Sequence, residues 1–284
     1  MLKREYHCLI AGLPDLFFDE NKSVVSSINF REELQLLLIP SDYKLVNYLF
    51  LPLDNQNLLN SIAKKQATKF YPGTLSRQAL EQQLAPENED IKLPAYMLQF
   101  LNQLKTTETK LTNMEAERLL NTLFFQYALR CPNAFLQQWF RFTLNIKNVL
   151  CAFNCQKHHY KPETQLIDIK QVEEEYTLLT NYRFKADYFE ELLPFAEDVF
   201  RIAETDIEMI EKEKAIDKLK WHYLEENTFF HFFTIERILA FTIKLQIMER
   251  WMMLDNKTGK ELLKKIMDEI KSNYEFPAEF SLTK

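Results

Sequence analysis

The chain has 284 residues, enough for one large core or two to three smaller ones. Its formal charge of -6 and pI near 5.6 give no general attraction for nucleic acid, whose binding is dominated by Lys and Arg neutralising phosphates. Gly12, Gly73 and Gly259 are the only glycines, too few and too scattered for a Walker A loop or a dinucleotide-binding turn, which need several in close succession. Scarce glycine also argues against a sheet with many tight turns, and beside abundant Leu, Glu, Lys, Gln and Phe it predicts an all-α fold.

At the N-terminus, Lys3 and Arg4 precede an apolar stretch from Cys8 to Leu13 that stops at Pro14, short for the core of a signal peptide. Ser41 and Asp42 before Leu45, Leu49 and Leu53 predict a capped helix, and Asp54 is placed to cap a second one carrying Leu58, Leu59 and Ile62. The polar, Pro-bearing stretch Ala85 to Pro94 reads as an exposed connection. Thr112 with Glu115 forms a capping box opening a helix to about Arg130. Pro132 suits a first helical turn, and Phe135, Trp139, Phe142, Ile146, Val149 and Phe153 recur at helical spacing before the polar run Gln156 to Gln165.

Further on, Val199, Ala203, Ile207 and Ile210 predict one face of a long helix. Its remaining positions, from Glu204 to Lys214, are crowded with charge and read as a solvated surface. A helix apolar nearly all round runs from Thr234 to about Leu254. Thr258 and Glu261 make a second capping box for a final helix ending near Ser272. Nothing reaches the ~18 uninterrupted apolar residues of a membrane span. With four irregularly spaced cysteines, the pattern predicts a soluble, cytoplasmic chain in a reducing compartment.

An internal repeat is visible at an offset of 91 positions. Asp54 and Asn57 sit in an apolar frame that recurs around Asn145 and Asn148, and again around Glu236, where the second Asn is lost. Each copy meets a break some turns later, at Pro72-Gly73, Lys161-Pro162 and Asp255-Asn256. The offset divides the chain into three segments, 1–91, 92–182 and 183–284.

Site chemistry is sparse. Cys151, Cys155, His158 and His159 share a helix face that could offer soft ligands to zinc, although the cysteines also read as small core side chains and the histidines as the start of a loop. Consecutive Glu173, Glu174 and Glu175 spread around a helix at 100° per residue and read as surface charge. His222 and His231 have no Ser or Cys beside them in a nucleophile context. Glu236 and Arg237 stand within Phe229, Phe230, Phe232, Phe233, Ile235 and Ile238. Charges in so apolar a setting must be paired, hydrogen-bonded or turned to a partner: an intramolecular ion pair is the simpler reading and a subunit interface the other. No catalytic residue, metal or cofactor is expected. The alternative is a helical metal- or ligand-binding protein or an enzyme of unknown reaction.

The run Phe232-Phe233-Thr234-Ile235-Glu236-Arg237-Ile238-Leu239, continuing to Trp251, resembles the last conserved stretch of the central-stalk adaptor of the V/A-type rotary ATPases, the C-type subunit that corresponds to the eukaryotic d-type one. Leu144-Asn145-Ile146-Lys147-Asn148-Val149-Leu150 is similar to that family's mid-chain pattern, with Asn145 in place of its usual acid and Cys151 and Phe153 in place of basic residues. The opening Tyr6-His7-Cys8-Leu9-Ile10-Ala11-Gly12-Leu13-Pro14-Asp15-Leu16 resembles that of a bacterial family of unknown activity, encoded among V-type ATPase subunits. The resemblance implies three similar helical bundles in a funnel, peripheral on the inner face of the membrane through its partners. Those partners would be the central shaft and the membrane rotor ring, which the chain would couple without chemistry of its own during proton or sodium translocation. Asp54, Asn57, Asn145, Asn148, Glu236 and Arg237 are then structural or interface residues, with no nucleic acid partner and no direct membrane span.

Overall fold

The computed structural model describes residues 4–18, 26–63, 70–85, 92–106, 111–181 and 191–255. Among them it contains twelve α-helices and no strand. The first six are α1 (His7–Ala11), α2 (Ser27–Leu37), α3 (Pro40–Tyr48), α4 (Leu51–Ile62), α5 (Arg77–Leu84) and α6 (Ala95–Thr106). The rest are α7 (Asn113–Ala128), α8 (Ala134–His158), α9 (Glu173–Asn181), α10 (Ala196–Glu204), α11 (Met209–Thr228) and α12 (Ile235–Asp255). No helix among these residues is long and apolar enough to cross a membrane.

Local chemistry sets most of the boundaries. The Thr112 hydroxyl accepts from the Glu115 amide at 3.3 Å while the Glu115 carboxylate accepts from the Thr112 amide at 2.8 Å, the capping box expected for α7. Two helices in series do follow Ile39, but the break falls at Leu49 and Phe50 and not at Asp54. Pro52 explains it: proline lacks an N–H and is tolerated only in a first turn, so α4 restarts at Leu51 and takes Asp54 inside. Ser41 caps nothing; α3 begins at Pro40 behind Ile39.

At the other break, Asn133 and not Pro132 opens α8, its Oδ1 accepting from the Leu136 amide at 3.0 Å. That helix runs to His158, past the expected end before Gln156. It closes on His159 at φ 59°, with the Tyr160 amide donating back to the Cys155 carbonyl at 2.8 Å.

The single long helix expected across Val199 to Ile210 is two helices, α10 and α11. Thr205 turns out of helical geometry and its hydroxyl donates to the Arg201 carbonyl at 2.6 Å, while Lys212 Nζ donates to the Ala203 carbonyl at 2.6 Å. The Lys212 ammonium thus satisfies a carbonyl that a continuous helix would have bonded to a backbone amide. Glu225 and Lys244, 3.0 Å apart, tie α11 to α12, which spans nearly the predicted Thr234 to Leu254. The second capping box at Thr258 and Glu261 lies outside the described residues.

Packing relations run along the chain and then back to its first helices. The helix α4 packs on α7, α7 on α8, α8 on α10, α10 on α11 and α11 on α12, and α12 returns to α2 and α3. The buried apolar side chains form one cluster from Tyr6 to Trp251. Within it, Phe30 meets Phe241 edge-on at 5.0 Å between ring centroids, and Phe142 stacks on Tyr223 at 3.8 Å. A polar tie joins a further pair of helices: Tyr96 on α6 donates to Asn55 on α4 at 2.6 Å, buried from water.

The closing contact between the ends of the chain is polar at its edge. Glu249 on α12 accepts from both the amide, at 2.7 Å, and the hydroxyl of Ser27, so a residue 222 positions away satisfies the first turn of α2. Glu249→Ala is expected to cost about 1–2 kcal/mol, the loss of a charge-assisted helix cap, read as a lowered denaturation midpoint. Glu249→Gln, which still accepts from the amide, should recover part of it.

Candidate functional site

The residues of the internal repeat lie on three helices, α4, α8 and α12. Asp54, Asn145 and Glu236 are all buried, as are Asn57 and Asn148 three positions further on. In two copies the second residue does the same thing. Asn57 Nδ2 donates to the Tyr71 carbonyl at 2.8 Å and its Oδ1 accepts from the Tyr71 amide at 2.8 Å. Asn148 Nδ2 donates to the Ile167 carbonyl at 3.0 Å and its Oδ1 accepts from the Ile167 amide at 2.9 Å. A primary amide offers one donor edge and one acceptor edge, so it can close both backbone groups of a single residue as a neighbouring strand would. Tyr71 directly precedes the break at Pro72-Gly73, whereas Ile167 lies five residues after Lys161-Pro162. In the third copy Leu239 holds the corresponding place and is fully buried, with no amide to offer.

The first residue of each copy also binds, with different chemistry. Asp54 accepts from the Thr74 amide at 2.9 Å, the Thr74 hydroxyl at 2.5 Å and the Leu75 amide at 3.2 Å. It therefore pins the loop after Tyr71 and does not cap a helix. Burial raises its carboxyl above the ordinary value, while these hydrogen bonds and the nearby Arg31 pull the other way. Gly73 is required by proximity: a Cβ there would overlap Asp54 Oδ1.

In the second copy Asn145 Nδ2 donates to Glu175 Oε1 at 3.3 Å, and Arg141 Nε donates to the same oxygen at 2.6 Å. Glu175 is thus no surface charge; it is buried, and only its neighbours Glu173 and Glu174 face water. Val172, Glu175 and Leu179 recur at helical spacing on one buried face, a signal present in the sequence. Burial pushes the Glu175 carboxyl up, but Arg141 and Asn145 outweigh it and hold it below the ordinary range.

In the third copy Glu236 Oε1 accepts from Asn133 Nδ2 at 3.3 Å, and Oε2 lies 3.8 Å from His231 Nδ1. Asn133 therefore caps α8 and reaches α12 with one side chain. Arg237 is exposed, and among the described residues no hydrogen bond or ion pair reaches its guanidinium. Adjacent residues of a helix diverge by 100°, so one charge of the dipeptide faces the core and the other faces out.

A buried carboxylate that sequence reading passed over completes the polar framework. Asp217 on α11 binds Lys220 Nζ at 2.8 Å, Arg250 Nη1 at 3.1 Å and Trp251 Nε1 at 3.1 Å. Its spacing with Trp221, Leu224 and Thr228 marks it as a core-facing position.

The remaining candidates do not assemble a reactive centre. Burial, with Cys155 alongside, pushes the Cys151 thiol up to about 12, far from the thiolate that binds metal or attacks. His158 and His159 are exposed. Among the described residues, no group of three or more His, Cys, Asp or Glu side chains is placed to hold a metal ion. A groove of about 790 Å³ beside Arg141 is lined by Lys170, Glu173, Glu174 and Thr177 among others, with no cysteine or histidine in its wall.

A family model described as "Protein of unknown function (DUF2764)" matches residues 3–274, and the chain belongs to that family. No curated protein and no solved structure matches it.

Two outcomes are expected. Asn57→Leu and Asn148→Leu should each destabilise by about 2–4 kcal/mol, because each strands a buried amide and carbonyl, and chemical denaturation measures it. Glu175 contributes pH dependence of known sign. Its folded carboxyl lies below the ordinary value, so its stabilisation is full above roughly pH 4.3 and is lost as pH falls through the lowered folded value. Glu175→Gln should remove that acid-side loss from a pH series of denaturation midpoints.

Proposed function

We propose that this member of the DUF2764 family is a non-catalytic central-stalk component of a V-type rotary ATPase, seating the rotor shaft on the membrane ring. The observation that supports the reading is the pair of amide clamps, Asn57 on Tyr71 and Asn148 on Ile167, whose asparagines stand at the offset of 91 positions while their loops span 14 and 19 residues. A chain built of three related helical bundles would carry such a repeated clamp, and the resemblance of the Phe232–Trp251 segment points to the central-stalk adaptor as the family with that construction.

The physical demands of the role fit what the chain has. A torque-bearing coupler must be stiff, and polar ties such as Glu249 to Ser27 and Tyr96 to Asn55 cross its helix contacts within one continuous core. It must also present docking surfaces, and it needs no nucleotide loop, which three scattered glycines do not supply.

Affinity capture of the tagged full chain from its own cells tests the reading. The expected result is recovery of the ATPase shaft and ring proteins in fixed ratio. Recovery of the intact ATPase from the same cells without this chain would overturn it.

A further inference from the structure

The connection between α11 and α12 turns an aromatic cluster outward. Phe229, Phe230 and Phe232 are 66%, 81% and 64% exposed, and Phe233 is 39% exposed. Sequence pattern placed these rings around a buried charge pair; instead, all four meet water. Isolated exposed apolar residues are ordinary, but a contiguous group marks a contact surface.

The turn is held firmly at its base. The Phe233 carbonyl accepts from the Tyr6 amide at 2.7 Å, and Tyr6 in turn donates its hydroxyl to Asp42 at 2.6 Å. The His231 amide donates to the Thr228 carbonyl at 3.0 Å, and the buried Thr228 hydroxyl to the Leu224 carbonyl at 2.6 Å. From beneath, Glu236 faces the His231 ring and binds Asn133. The hydrogen bond from Asn133 ties the root of the projection to the start of α8. A backbone turn already fixed in place has less conformational freedom to lose on docking.

Charge decides what the rings meet. Arg237, in the first turn of α12 and four residues beyond Phe233, is exposed and has no ion pair among the described residues, so its guanidinium is open to an anion on a partner. A membrane surface would need a cluster of basic residues. The flank here instead carries exposed Glu225 and Glu226, and the nearby Lys244 is already engaged by Glu225 at 3.0 Å. Aromatic anchors beside a lone arginine are the composition of a protein contact.

We propose that Phe229–Phe233 with Arg237 is a docking knuckle for a protein partner presenting an apolar pocket bordered by a carboxylate. This goes beyond the rotor reading and does not depend on it.

The test places a photo-reactive benzoylphenylalanine at Phe230 or Phe232 of the full chain in its own cells, with mass spectrometry of the cross-linked site. A melting profile unchanged from the parent verifies folding, as their exposure predicts. The expected result is one protein, cross-linked from both positions beside an Asp or Glu. Arg237→Glu should weaken that cross-link about tenfold or more, and reversing the partner's carboxylate to Lys should restore it. Cross-links only to lipid, only to a second copy of this chain, or to nothing would overturn the proposal, as would a cross-link indifferent to Arg237→Glu. A specific partner outside the ATPase would leave the knuckle standing and remove the rotor reading.

Discussion

The fold depends on buried side-chain amides taking the place of a backbone neighbour. A helical protein has no sheet edge to satisfy an irregular segment that passes through its interior, and each unpaired N–H or C=O there costs about 1–3 kcal/mol. Asn57 and Asn148 solve that problem identically, each closing both groups of one loop residue against the flank of a helix. The residue three positions earlier then secures a second point. Asp54 binds backbone amides directly, whereas Asn145 works through Glu175 and Arg141. The shared part of this device is the amide; the acid station is free to vary because several chemistries can anchor a second point.

Much of this was legible in the sequence, for reasons that can be stated residue by residue. The capping box at Thr112 and Glu115 is local, so its effect is fixed before tertiary packing begins. Asn57 and Asn148 were visible as a repeated position in an apolar frame, though the pattern held no information on what they would grip, since Tyr71 and Ile167 are 14 and 19 residues away. Other features were hidden by competing local signals. Apolar spacing from Val199 to Ile210 looks continuous, yet Thr205 and Lys212 divert the backbone between α10 and α11. Three consecutive glutamates look alike in composition, and only the spacing of Val172 and Leu179 separates buried Glu175 from its neighbours. The Phe229–Phe233 cluster misled most, because hydrophobicity alone cannot distinguish a core from an exposed group of rings.

Glu236 and Arg237 do not share an ion pair, and helix geometry explains why. Glu236 faces inward to Asn133 and His231 and is part of the framework; Arg237 faces outward to solvent. The same turn thus joins interior and surface, with Asn133 serving both α8 and α12.

The measurement that bears most directly on the rotor account is electron cryomicroscopy of the intact V-type ATPase purified from cells that make this chain. The account predicts density between the central shaft and the membrane ring that the described helices fit, with the Asn57 and Asn148 clamps in two related bundles. A different polypeptide filling that position would contradict it.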